Sequence, residues 1–173
     1  MAKKVYGLKA ITIGDIAVDG GMGTTLTEIF GQTVAGTAVL ESTEPVVENI
    51  PIEESSLPFD SITTEEAVFT LRASTYNISA DTMLLLFGGT VTGTGENKTW
   101  SAPVDGVVPS IEKSVVAETK SGIKFNFVRM KLSGALEATF DKTRLGQINW
   151  TGTVLIPTKA ATAPWNIVFG VAA

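Results

Sequence analysis

Ile123-Lys124-Phe125-Asn126-Phe127-Val128-Arg129-Met130-Lys131-Leu132 is the stretch that decides the fold. Ile123, Phe125 and Phe127 alternate with Lys124 and Asn126, the period-two pattern of a strand buried on one face. Upstream, Ser114 to Thr119 is a second β-rich run, joined to the first through Lys120-Ser121-Gly122 as a hairpin. Downstream, Ala135 to Phe140 forms a further run after Gly134, followed by a polar break at Asp141-Lys142-Thr143-Arg144. Gln147 to Ile156 is β-rich and ends at Pro157, and Pro164-Trp165-Asn166-Ile167-Val168-Phe169 closes the pattern. Strand follows strand through this third of the chain, with no catalytic residue set upon it.

Towards the N-terminus the same reading continues. Val5 to Ile13 is a first strand, Gly20-Gly21-Met22-Gly23 a turn, and Thr24 to Ile29 and Gly36 to Thr43 further strands. Glu66 to Ser74 puts Phe69 and Leu71 on one face, and short β pieces surround Val91 and Lys98-Thr99-Trp100. Between them, Glu44 to Asp60 carries Pro45, Pro51 and Pro58 among acids; proline cannot donate to a ladder, so an extended loop is expected there. One helix is predicted, with Ser79 as N-cap, Asp81 in the first turn, and Gly88-Gly89 as the stop after Phe87. Its apolar stripe of Met83, Leu84, Leu86 and Phe87 is expected to seal a core. The fold class is mainly β: one domain over residues 1–173, an antiparallel β-sandwich or small barrel with one short flanking α-helix and a long extended loop.

Composition excludes much chemistry. The 173 residues include no His and no Cys, which removes imidazole bases, Ser-His-Asp and Cys-His nucleophiles, thiolate or imidazole metal sites, and disulfides. Asp15 and Asp19 have no third ligand at suitable spacing and read as turn residues. Gly88 to Gly95 lacks the Gly-Lys-Ser/Thr of a phosphate loop. No catalytic residue, metal or cofactor is therefore expected, and the chain does not read as an enzyme. The longest apolar run, Met83 to Phe87, is far short of a membrane span, and Lys9 interrupts any signal-peptide core. Neither membrane insertion nor secretion is expected, so the glycosylation patterns at Asn77, Asn97 and Asn149 carry no meaning.

Charge is distributed unevenly. Between Ala10 and Leu71 there are eleven acids and no Lys or Arg, whereas Arg72 to Ala173 holds ten bases against seven acids. Such asymmetry steers subunits together or gives one wall of an assembly a single sign. Lys124, Arg129 and Lys131 with Phe125 and Phe127 have the residue types of a nucleic-acid platform. Strand alternation, however, puts both aromatics on the face opposite Lys124.

The order of elements as a whole resembles the major tail tube proteins of tailed bacteriophages and their injection-system relatives. The helix Ser79 to Phe87, the hairpin Val115 to Leu132, and Phe140-Asp141-Lys142 ahead of Gln147 to Pro157 carry the likeness. It spans Lys9 to Phe169 as a pattern of elements rather than a signature motif. The resemblance implies a structural virion protein forming stacked hexameric rings, with sheets joined around a lumen through which DNA passes. It implies a tail location after synthesis in the bacterial cytoplasm, and contacts with tape-measure, terminator and baseplate proteins. Within that reading Glu44, Pro45, Glu48, Glu53, Glu54 and Asp60 are expected at an inter-ring contact. Lys124, Asn126 and Val128 are expected on a face toward the lumen or a neighbouring subunit, with Lys124 and Lys131 neutralised by Glu118 or Glu137. The mean hydropathy of +0.26 agrees with surplus apolar contact area. Two alternatives stand beside it: another assembly protein of the same fold, such as a terminator or baseplate hub, and a non-catalytic carbohydrate-binding sandwich using Trp100, Trp150 or Trp165.

Overall fold

A computed structural model describes residues 4–138, 140 and 142–170. Thr139 and Asp141, from the expected run after Gly134 and the polar break, lie outside the described residues. In chain order the elements are β1 (Leu8–Gly14), β2 (Val39–Ser42), β3 (Val46–Ile52), β4 (Ser55–Glu65), β5 (Phe69–Thr75), α1 (Ala80–Phe87), β6 (Thr90–Thr92), β7 (Thr99–Ser101), β8 (Ile111–Thr119), β9 (Ile123–Glu137), β10 (Gln147–Val154) and β11 (Trp165–Phe169). The protein is mainly β, with a curled antiparallel sheet as its body.

The sheet follows the order β1-β8-β9-β10-β5-β2, with β11 also on β9. The long strand β9 organises it. One edge of β9 pairs with β8; β10 pairs with residues 130–137 of β9, and β11 with residues 123–127. The sheet therefore divides along β9. Gly134 does not break this strand, contrary to the expectation of two separate runs. A Cβ at Gly134 would stand 3.1 Å from the Leu86 side chain, so the glycine lets α1 lie close against the sheet.

A bulge bends β9 at the division. Val115 faces Phe127 and Lys113 faces Met130, so Ser114 alone opposes both Val128 and Arg129. The buried Ser114 hydroxyl holds the site, donating to the Val128 carbonyl (2.7 Å) and accepting from Gly23 N–H (2.9 Å). The core residues of β9 are Phe127 before the bulge and Met130 and Leu132 after it, while Val128 is buried outside this cluster.

The core lies in the concavity. Ile11 and Ile13 of β1, Val115 and Ala117 of β8, and Phe127, Met130 and Leu132 of β9 meet Leu71, Ala73, Ile148 and Trp150. Phe30 stacks on Trp150 at 4.6 Å. The expected strand Thr24–Ile29 is reduced to one bridge, Ile13 to Thr27.

Helix α1 forms as its caps dictate. Ser79 accepts from Thr82 N–H, and Gly88, at φ 68°, donates its N–H to Leu84 O to end the helix. The buried face is Thr82, Met83, Leu85 and Leu86; Leu84 is 41% exposed. Leu84 is thus corrected from the expected stripe, because the helix presents its 82–83 and 85–86 rows to the sheet.

Candidate assembly surfaces

The segment expected as an extended loop is a β-hairpin, and it is the most exposed part of the protein. Ser42 faces Phe69, and Val46 faces Glu65 four residues further along each strand, so the β2–β5 register reaches the first pair of β3–β4 before shifting by one residue between Val46 and Val47. Thr43 N–H donates to Val68 O across the joint, and Val68 N–H to the Thr43 hydroxyl. The two strand pairs make one ribbon whose outer part is an arm. Pro51 and Pro58 are accommodated because both fall where the register shifts between Ile50–Asp60 and Ile52–Ser55.

Every residue of β3 and β4 is exposed. Seven of them are large and apolar: Val46, Val47, Ile50, Ile52, Leu57, Phe59 and Ile62, with Leu57 and Phe59 each 73% exposed. Cross-strand partners share a face. One face carries Glu48 with Ile62 and Ile50 with Asp60; the other carries Val47 with Thr63 and Asn49 with Ser61, and Phe59 beside them by alternation. The arm thus has an acid-bearing face and an uncharged one. A two-stranded hairpin alone is marginal in water, so an arm with apolar residues on both faces is a surface built to be covered.

Of the residues expected at this contact, Glu48 and Asp60 lie in the strands, Glu53 and Glu54 in the tip, and Glu44 and Pro45 at the root; all are exposed. Sequence reading passed over the apolar members. The signal was present in the number of Val, Ile, Leu and Phe residues set among the prolines and acids, in excess of what a solvated loop requires.

The outer face of β1, β8 and β9 carries paired charges. Glu118 accepts from Lys9 at 2.8 Å and stands 3.7 Å from Lys124 Nζ. The Lys9 hydrogen bond, helped by the charge of Lys124, holds the Glu118 carboxyl below its ordinary range. Glu112 takes a two-pronged pair from Arg129 at 2.7 and 3.0 Å, which lowers the carboxyl and raises the guanidinium. Lys131 adds a weaker lowering at Glu112. Glu137 instead accepts from Gln147 and Asn149. Glu118 thus stands beside Lys124 but shares its single charge with Lys9, and Lys131 faces Glu112 rather than Glu137.

Lys124 and Asn126 lie on this outer side, where Asn126 donates to Asn166 of β11 at 2.9 Å. Val128 does not join them. It is 3% exposed at the bulge, where its N–H donates to Pro164 O and its carbonyl accepts from the Ser114 hydroxyl. It is removed from the lumen-facing set.

The cleft between β1 and β2, the two outer strands of the sheet path, encloses about 890 Å³. Leu8, Ala38 and Leu40 form its walls, Leu71, Phe125 and Phe127 its floor, and Lys120 part of its rim.

The three tryptophans are turned to packing. Trp150 is 2% exposed; Trp165 sits between Phe69 and Phe127; Trp100 contacts Phe87 and donates its indole N–H to Gly88 O at 2.8 Å. Of the three, only Trp150 is fully buried; Trp100 and Trp165 are half-buried in these contacts. Asp19 accepts from Gly21 N–H and Lys159, and Asp15 pairs with Lys113. Among the described residues no group of three acidic side chains is placed to hold a metal ion, and no helix is long and apolar enough to cross a membrane.

Neither protein-family models nor characterised proteins give a match to this chain.

Proposed function

We propose that this protein is a structural subunit of a phage-type tail tube, assembling with its own copies into stacked, hexameric rings around a channel for DNA. The observation that carries the reading is the arm: a two-stranded ribbon, exposed along its whole length, with apolar side chains on both faces. At about 3.3 Å per residue it extends some 30 Å beyond Ser42, enough to reach an adjoining subunit. On the outer face Glu118 and Glu112 are interspersed among Lys9, Lys124, Arg129 and Lys131, so passing phosphate meets a basic track broken by carboxylates. On this reading the protein resides in the virion tail, and its other partners are tape-measure, terminator and baseplate proteins.

Electron microscopy of the purified protein and of an arm-deleted variant tests the proposal. Replacing residues 46–65 with a two-residue turn should leave a folded domain, because none of the core residues is removed. The intact chain is expected to form rings that stack into tubes, and the shortened chain to lose stacking. A monomeric intact chain at high concentration, or normal tubes from the shortened chain, would refute the assignment of the arm.

A further inference from the structure

We infer that the cleft between β1 and β2 is the receptor for the arm of a second copy of this chain. This rests on the assembly reading above and names the surface on which that contact is made.

Three observations converge. The first is shape and polarity: the cleft of about 890 Å³ has apolar walls and floor, and the arm presents Leu57 and Phe59 at 73% exposure with no apolar neighbour covering them. Val47, Asn49, Ser61 and Thr63 on the face shared with Phe59 carry no charge, so that face can enter without desolvating an ion. Apart from the Ile13–Thr27 bridge, β1 is laddered only to β8 and β2 only to β5, so their outer edges offer backbone groups to an incoming ribbon.

The second is charge. Among the described residues the arm's acids, Glu48, Glu53, Glu54, Asp60 and Glu65, take part in no ion pair, although most bases elsewhere do. Among the described residues Lys120 at the cleft rim and Lys4, just before the lining residues Val5 and Tyr6, likewise form no ion pair, and they outnumber the one acid of the lining, Glu28. Unpaired acids on the arm thus match unpaired bases at the cleft.

The third excludes the chain's own arm. Leu40 lines the cleft and β3 begins only six residues later, yet no residue of the arm is among those lining the cleft. Only another copy brings Phe59 to Leu40.

The absence of native cysteine allows a direct test. A chain carrying both Phe59→Cys and Ala38→Cys, assembled and then mildly oxidised, is expected to give a ladder of covalent multimers on a non-reducing gel. Each single variant should give at most dimers. Lys120→Glu is expected to raise the concentration needed for assembly severalfold, and Glu53→Lys with Glu54→Lys in the same chain to restore it. Tubes that form without a ladder, or in which Ala38→Cys links instead to a cysteine at Phe169, would overturn the cleft assignment while leaving tube assembly standing. An intact chain that never assembles would overturn both.

Discussion

Phe69 and Trp165 meet with ring centroids 4.9 Å apart, although β5 and β11 are not neighbours in the sheet. Trp165 also stacks on Phe127 at 6.3 Å, so one indole joins the two halves into which β9 divides the sheet. Trp165→Ala should therefore cost about 2–4 kcal/mol, less than the full price of a completely buried aromatic. Denaturant unfolding measures it. A loss under about 1 kcal/mol would mean that the halves are joined elsewhere.

For the helix, the expected effects separate by face. Leu86 is fully buried, so Leu86→Ala should destabilise by about 2–5 kcal/mol. Leu84 is 41% exposed, and Leu84→Ala should stay within about 0.5 kcal/mol in the isolated subunit. Gly134→Ala, which pushes a methyl group toward Leu86, should cost about 1–3 kcal/mol through overpacking. Equal effects at Leu84 and Leu86 would contradict the helix orientation.

Acid should weaken the fold through Glu112. Arg129 lowers the carboxyl below its ordinary 4.5, so the pair's contribution is complete above that pH and is lost as pH falls through the lowered value. Glu112→Gln should be less stable than the parent at neutral pH, with the difference closing under acid conditions. Both groups are partly exposed, so screening keeps the effect small and salt should reduce it. Urea midpoints across a pH series report it; a difference that grows toward low pH would have the wrong sign.

Glu118 offers a test of the channel. Glu118→Gln leaves Lys9 and Lys124 without their shared carboxylate. If this face lines the lumen, variant tubes should retain DNA in a salt-sensitive manner that parent tubes do not. Gel retardation at two salt concentrations separates the cases, and unchanged retention would place this face away from DNA.

Much of the fold was legible in local pattern. The alternation through Ile123 to Phe127 located β9, and Ser79 with Gly88 bounded α1 within a residue. What escaped depended on distant partners. Gly134 reads as a break from its neighbours in sequence, and only the approach of Leu86 explains it as part of a strand. Val128 was assigned by extending an alternation that Ser114, on another strand, interrupts. Pro51 and Pro58 argued against strands, yet a two-stranded ribbon with a register shift tolerates them. At the candidate surface the acids were visible from charge alone. The cleft was not, since its walls come from β1 and β2 and its floor from β5 and β9.

The shared ladder of arm and body has a mechanical consequence. A load applied at the tip passes lengthwise into the four residue pairs of β2 and β5, whose hydrogen bonds are loaded in shear instead of opening one after another. Sliding by one residue would turn Leu40 and Leu71 out of the interior, so the ribbon has no nearby state into which it can creep. An arm so anchored acts as a stiff tie between subunits, and the twist of its strands sets the angle at which each copy meets the next.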